Sequence, residues 1–241
     1  MITGKMIVVT GGSRGVGFGL VQQFLRRDNV VIATTRDTTR AHELQKLAET
    51  AGGKLIVHEL DTSEVSSIKH WSNDLKEDVP HVDVLINNAG VFGRRLGFLE
   101  LEAEDFLKTF TTNTVGPFLV SQELYRQGLL GGERGQSLVV NISSVMSSHG
   151  DQAKDNSGGG AYAYRASKAA LNIINKAMAT DLHQHGITSV LIHPGYVATD
   201  MTDYKGHISV QESTEGIMAV LESGKMLNDR FFSFRGEELP W

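Results

Sequence analysis

The sequence predicts an α/β fold of Rossmann type, a doubly wound parallel sheet of about seven strands with helices on both faces. Three observations carry this expectation. Short β-branched runs alternate along the chain with longer stretches of helical spacing. Several of the runs hold consecutive apolar residues, as Ile7-Val8-Val9 and Val84-Leu85-Ile86 do, which suits strands covered on both faces. A glycine-rich turn, Thr10-Gly11-Gly12-Ser13-Arg14-Gly15-Val16-Gly17, falls where the first strand gives way to the first helix.

Taken in order, residues 6–10 form the first strand and 15–27 the first helix. The glycines between them permit positive φ and leave no Cβ between the backbone and a pyrophosphate, while the helix N-terminus offers free N–H groups. The strict G-x-G-x-x-G fingerprint is absent, because Gly19 in Gly15-Val16-Gly17-Phe18-Gly19 comes one residue early, and no Gly-Lys-Ser/Thr follows to make a Walker A loop. A strand at 30–35 contains Val30-Val31-Ile32-Ala33, and a helix at 40–49 leads to a third strand at 54–59. Asp61 and Thr62 follow it, and Asp61 reads locally as a cap for a helix at 63–77. The fourth strand, 82–87, runs into Asn87-Asn88-Ala89-Gly90, locally a turn stabilised by side-chain to backbone hydrogen bonds.

A helix over 102–127 contains Pro117. Proline has no N–H, so a continuous helix leaves the carbonyl of Asn113, four residues back, without its usual partner. The fifth strand, 137–143, ends in Ser143-Ser144. An irregular stretch at 145–161 includes Ser147, Ser148, Gly150 and the run Ser157-Gly158-Gly159-Gly160, and is expected to be a mobile loop. A helix at 163–185 places Tyr164 and Lys168 on one face. An ammonium beside a phenol stabilises phenolate and lowers its pKa from about 10, which suits proton exchange with a carbonyl. Tyr162 has Ala166 at that spacing and cannot substitute. A strand at 188–193 precedes Pro194-Gly195-Tyr196-Val197-Ala198-Thr199, locally a Pro-Gly turn, and a helix at 210–222 and a short strand at 231–234 complete the pattern. Right-handed crossovers then bring every motif to the carboxyl ends of the strands, where the crevice of such a sheet lies.

Length and composition narrow the functional classes. A boundary inside 145–161 would separate a strand from its crossover helix, so residues 1–241 are expected to form a single dinucleotide-binding domain. The formal charge of -5 gives no general attraction to nucleic acid or anionic lipid, and no apolar run reaches the length of a spanning helix. Zero cysteines exclude disulfides, thiolate nucleophiles and Cys-ligated metal centres. His183 and His185, two apart, lie on different helix faces and no H-E-x-x-H occurs, so no metal site is expected. Ser144 lacks the G-x-S-x-G elbow, and His149 with Asp151 makes no hydrolase triad. The chain enters its first strand directly, which we read as a cytoplasmic protein.

The T-G-x-x-x-G-x-G spacing of residues 10–17, the Asn87-Asn88-Ala89-Gly90 segment, Asn113, Ser144, Tyr164-x-x-x-Lys168 and Pro194-Gly195-x-Val197-x-Thr199 resemble the short-chain dehydrogenase/reductase family over nearly the whole chain. Tyr-Arg-Ala-Ser-Lys-Ala-Ala-Leu-Asn at 164–172 and Leu239-Pro240-Trp241 resemble its sniffer-type carbonyl reductases and bacterial C-factor proteins. The resemblance implies a catalytic tetrad of Asn113, Ser144, Tyr164 and Lys168, in which Tyr164 exchanges the proton, Lys168 lowers its pKa, Ser144 orients the carbonyl and Asn113 anchors a water relay to Lys168. It implies cofactor contacts from Gly11, Ser13, Arg14, Gly15, Val16, Gly17, Arg36, Thr62, Asn88, Ala89, Gly90, Tyr164, Lys168, Pro194 and Gly195, with Asp61 at the adenine amino group and Val197 and Thr199 at the nicotinamide carboxamide. Ser143 is left to packing.

Charge at the end of the second strand bears on the cofactor. Thr35 stands where NAD-dependent relatives place a carboxylate, Arg36 follows, and Arg14 lies in the glycine turn, so two guanidiniums can receive a 2'-phosphate and NADP(H) is preferred. Asp37 would face the ribose if the strand ended one residue later, and NAD(H) would then serve. The implied reaction is reversible hydride transfer between nicotinamide C4 and a small-molecule ketone, aldehyde or quinone, with segments 91–99, 145–161 and 200–207 shaping the substrate site. The C-factor likeness leaves a second reading, an NADP(H)-binding signalling or redox-sensing protein in which catalysis is incidental. Family members commonly pair through the helices at 102–127 and 163–185, so a homodimer or homotetramer is expected.

Overall fold

A computed structural model describes residues 1–132, 135–151 and 159–241 of the chain. Seven strands, β1 (Met6–Val9), β2 (Val30–Thr35), β3 (Leu55–Glu59), β4 (Val84–Asn87), β5 (Ser137–Ile142), β6 (Ile187–His193) and β7 (Arg230–Ser233), form one sheet in the order β3-β2-β1-β4-β5-β6-β7. Every neighbouring pair is parallel. The strand order reverses between β1 and β4, and helices α1 (Gly15–Leu25), α2 (His42–Thr50), α3 (Val65–Asp78), α4 (Ala103–Phe110), α5 (Gly116–Arg126), α6 (Tyr162–Asp181) and α7 (Val210–Leu221) supply the crossovers. This is the Rossmann arrangement that the alternating pattern predicts.

Both faces of the sheet are dry, and alternation along each strand divides them. Ile7, Val9, Val31, Ala33 and Ile86 pack with Leu20 and Phe24 of α1 and Ile217 and Met218 of α7. Val8, Ile32, Leu85 and Val139 pack on the opposite face with Ile68 and Trp71 of α3 and Val120 and Leu124 of α5. Successive side chains of a strand point to opposite faces, so burying both requires the unbroken apolar runs seen in the sequence.

The expected continuous helix over 102–127 is interrupted. Residues Thr111–Val115 form a π turn between α4 and α5, and the Gly116 N–H reaches back to the Thr111 carbonyl, five residues away. Pro117 is the cause, since it removes one donor from the ladder and a wider turn absorbs the mismatch. Asn113 is therefore held in the π turn and is fully buried. The expected mobile loop at 145–161 also changes character. Its start is a 3-10 turn, Val145–Ser147, and Ser148 Oγ donates to the Pro240 carbonyl at 2.6 Å while His149 and Gly150 N–H groups donate to the Trp241 carbonyl. Trp241 lies against Phe231, so Leu239-Pro240-Trp241 docks on this segment. The remainder of that stretch, at 152–158, lies outside the described residues.

Gly116 has ordinary helical φ, yet a Cβ built there would lie 2.5 Å from the Thr62 carbonyl oxygen. Alanine at an open helical glycine stabilises by up to about 1 kcal/mol, whereas forcing a methyl into packed backbone costs about 1–3 kcal/mol. Gly116→Ala is thus expected to lower the urea midpoint at unchanged m-value; a raised midpoint would contradict the close approach of α5 to the 61–62 turn.

Candidate active site

The crevice opens where the segments after β1 and β4 diverge. Gly11 and Gly15 take left-handed φ of 65° and 55°. A Cβ at Gly17 would come within 2.2 Å of the Gly11 carbonyl oxygen and 2.4 Å of Asn88 Nδ2, so this position admits glycine alone. The N-cap residue Arg14 makes no side-chain cap, and α1 carries no acidic residue in its first turn. Its leading N–H groups and positive dipole end therefore face the crevice beside a bare backbone, and Ser13 and Val16 line the same turn half-buried. That donor set fits a dinucleotide pyrophosphate.

The β4 end braces this turn. Asn88 Nδ2 donates to the Thr10 and Gly11 carbonyls at 3.0 Å each, while Thr10 Oγ1 accepts from the Asn88 and Ala89 N–H groups at 3.0 and 3.1 Å. Asn88 thus spends its amide on the protein, and only backbone near Ala89 and Gly90 remains for a ligand. Asn113 clamps the next residue: Val91 N–H donates to its Oδ1, and its Nδ2 donates to the Val91 carbonyl and to Ser167 Oγ, all within 3.0 Å. A Cβ at Gly90 would meet Asn113 Oδ1 at 3.1 Å and Lys168 Nζ at 3.7 Å, which places these groups around one point.

Ser144, Tyr164 and Lys168 converge beside it, all buried. The Ser144 hydroxyl lies at the Tyr164 phenol, and Phe92 stacks on the phenol ring with centroids 4.8 Å apart. Lys168 Nζ donates to the Ile142 carbonyl at 2.7 Å. Burial pushes the Tyr164 pKa up, opposed by the Ser144 hydroxyl. Burial also draws the Lys168 pKa down to about 8. Desolvation disfavours both charged forms.

Ser143 is more than packing. Its Oγ donates to Asn172 Oδ1 at 2.6 Å, Asn172 Nδ2 donates to Ser147 Oγ at 2.8 Å, and Ser147 Oγ donates to the Ser144 carbonyl. Asn172 thereby fixes both sides of Ser144, and it extends the Tyr164, Lys168 face of α6 by one more turn. That i, i+4, i+8 spacing was the available signal. Phe92, inside the broad segment at 91–99, offered none.

β2 ends at Thr35, so Asp37 lies two residues beyond. Its carboxylate accepts from Thr39 N and Oγ1 and pairs with Arg40 at 3.2 Å, which satisfies it locally and holds its pKa below the usual carboxylate value, the Thr39 hydroxyl first among the causes. Arg36 is exposed at the strand end. Asp61 caps locally through Oδ1, which accepts from Ser63 N and Oγ, and Thr62 is buried against Gly116. After β6, Pro194 accepts from Ser213 Oγ at 2.6 Å, Gly195 has φ 89° with a Cβ position 2.4 Å from Ile208, and Val197 is buried. Thr199 caps the turn Asp200–Thr202 and approaches Gly15. Arg14, exposed in the glycine turn, pairs with Asp200 at 3.0 Å. No cluster of metal-ligating side chains and no helix long and apolar enough to cross a membrane occur among the described residues.

Comparison with known proteins agrees with this geometry. Residues 5–208 match the family model described as short chain dehydrogenase. The chain is 40% identical over 161 residues to the C-signal of Myxococcus xanthus, covering 66% of this chain and 93% of that protein. Among solved structures it is similar to an NADPH-bound carbonyl reductase from chicken fatty liver, with 32% identity and TM-score 0.91 over the full length of both chains. It is likewise similar to the carbonyl reductase Sniffer of D. melanogaster, with 28% identity and TM-score 0.88 over the full length of both.

The buried lysine carries a pH signature. Its pKa is lowered from 10.5 to about 8 on folding, so the folded state binds fewer protons between those values and stability gains from this group as pH rises through that window. The penalty is fully present below about pH 8. Against Lys168→Met, which lacks the ionisation, the native chain should therefore gain stability by up to about 1.4 kcal/mol per pH unit across that range. Parallel denaturation curves at about pH 7.5, 9 and 10 measure it, and a flat difference would remove the buried ammonium from the account.

Proposed function

The chain belongs to the short-chain dehydrogenase/reductase family, and on that premise we propose that residues 1–241 act as one cytoplasmic, dinucleotide-binding domain that reduces small-molecule carbonyls with NADPH. The observation that carries the reading is the convergence of buried Ser144, Tyr164 and Lys168 beside the glycine cradle of α1. The likeness to the NADPH-bound chicken carbonyl reductase and to Sniffer supports both the reaction and the cofactor. The Asp37 carboxylate, taken up by Thr39 and Arg40, and the exposed Arg36 favour the 2'-phosphate over a bare ribose, so NADP(H) is preferred to NAD(H).

NADPH held against the α1 N-terminus, Ala89, Gly90 and the 194–199 segment would supply the hydride. The residues do the rest. A raised phenol pKa keeps Tyr164 protonated at neutral pH, the state needed to give a proton to a carbonyl oxygen. Ser144 orients that oxygen and steadies the developing charge. Lys168, whose pKa of about 8 leaves it mostly charged at pH 7, brings a buried ammonium beside Gly90, held by the Ile142 carbonyl. Asn113 holds the Val91 backbone and Ser167, keeping the site walls in register. Exposed Leu107, Val115, Phe118 and Ile173 on α4, the π turn, α5 and α6 support pairing of two or more copies through these helices.

The 40% identity to C-signal favours a second reading, nucleotide binding for signalling with incidental turnover. Tyr164→Phe distinguishes the two. It is expected to retain NADPH binding by fluorescence titration while losing about 10²- to 10⁴-fold in NADPH oxidation against a panel of quinones, aldehydes and ketones. Turnover unaffected by the substitution would refute the assignment of Tyr164, and turnover undetectable even in the native chain that binds NADPH would favour the signalling reading. NADPH is expected to bind more tightly than NADH, with Arg36→Ala narrowing the gap.

A further inference from the structure

Arg14 and Asp200 are 186 residues apart, yet Arg14 Nη1 donates to Asp200 Oδ2 at 3.0 Å. The close approach of Gly15 to Thr199 brings them together, since a Cβ at Gly15 would lie 3.3 Å from Thr199 Cγ2. Asp200 Oδ1 accepts from the Tyr204 hydroxyl, so its carboxylate is gripped from both sides. The backbone that carries it is constrained: Asp203 and Tyr204 take left-handed φ of 51° and 57°, costly for residues with a Cβ. A second guanidinium holds the same segment from across the crevice. Arg95 Nη2 donates to the Met201 carbonyl at 2.7 Å, lies 3.6 Å from the Asp203 carboxylate, and covers the Phe92 ring that stacks on Tyr164.

Arg14 is the N-cap residue of the helix whose N-terminus forms the cradle, and its guanidinium is already engaged by Asp200. The pair is largely exposed, 72% and 48% at the two side chains, and such pairs are weak enough for a phosphate oxyanion to displace. We propose that Asp200 is a positioning residue of the nucleotide site: it competes with the phosphates of the nucleotide for Arg14, and nucleotide binding exchanges the carboxylate for phosphate at that guanidinium, releasing one of the two tethers on segment 200–204. This rests on the NADPH-dependent reading above. It also explains how one end of the substrate-side wall senses the cofactor, since Asp200 lies next to Thr199 while Arg95 reaches the wall that holds Phe92.

The test is direct binding, read by fluorescence titration of NADPH and NADH at fixed ionic strength. Asp200→Asn frees Arg14 and should tighten nucleotide binding about two- to fivefold. In an Arg14→Ala background the same substitution should give no gain, because no guanidinium remains to be freed. A gain for NADPH alone assigns the exchange to the 2'-phosphate, and a gain for both nucleotides assigns it to the pyrophosphate. Unchanged or weaker binding by Asp200→Asn overturns the proposal, as does an equal gain in the Arg14→Ala background, which would signify general repulsion by Asp200. A native chain that binds neither nucleotide overturns the functional reading as well, so the two failures are distinguishable.

Discussion

Parallel strands cannot be joined by tight turns, and the site depends on that constraint at one place, between β1 and β4. Here the chain crosses to one side after β1 and to the other after β4, so the two exits part and leave a crevice at the carboxyl edge. The gap is kept at a fixed width by the Asn88 amide and the Thr10 hydroxyl, which tie the glycine turn to the β4 exit through four hydrogen bonds. Gly17 completes the fit, because any Cβ would strike both the Gly11 carbonyl and that amide. A helix N-terminus with unused donors is then aimed into a space whose dimensions are set by backbone, not by flexible side chains.

The opposite wall is held by buried polar groups. Asn87 Nδ2 donates to Asn141 Oδ1, Asn141 Nδ2 to Asn175 Oδ1, and Ser189 Oγ to Asn175 Oδ1, a chain of amides running across β4, β5 and β6 onto α6. Above it the Ser143, Asn172, Ser147 set fixes the residue that lies at the Tyr164 phenol. These bonds tie α6 to the sheet, with Asn87 Oδ1 and Asn175 Nδ2 left without a partner among the described residues. The π turn at Thr111–Val115 serves the same end, since it lets Asn113 face the Val91 backbone while α4 and α5 continue on either side.

Much of this was legible in the sequence because it depends on local rules. Runs of consecutive apolar residues declared strands covered on both faces, glycine spacing marked the turn where a Cβ cannot stand, and Pro117 flagged a break in the helix ladder at Asn113. Its form, a π turn closed by the Gly116 N–H on the Thr111 carbonyl, was not written in the local pattern. The end of β2 at Thr35 followed from its apolar run, and with it the distance of Asp37 from the strand.

What only the tertiary structure decided concerns electrostatics and contacts distant in sequence. Four-residue spacing placed Tyr164 and Lys168 on one face, but burial, a property of the whole fold, sends their pKa values away from the charged forms. Arg14 reads from sequence as a cofactor ligand, and its pairing with Asp200 depends on the β1 and β6 exits meeting in space. The docking of Leu239-Pro240-Trp241 on residues 148–150 likewise requires β7 to lie beside β6. Sequence determined the fold and the identity of the reactive groups through short-range sterics and periodicity; the protonation states and partners of those groups came from desolvation and long-range proximity, which no local pattern encodes.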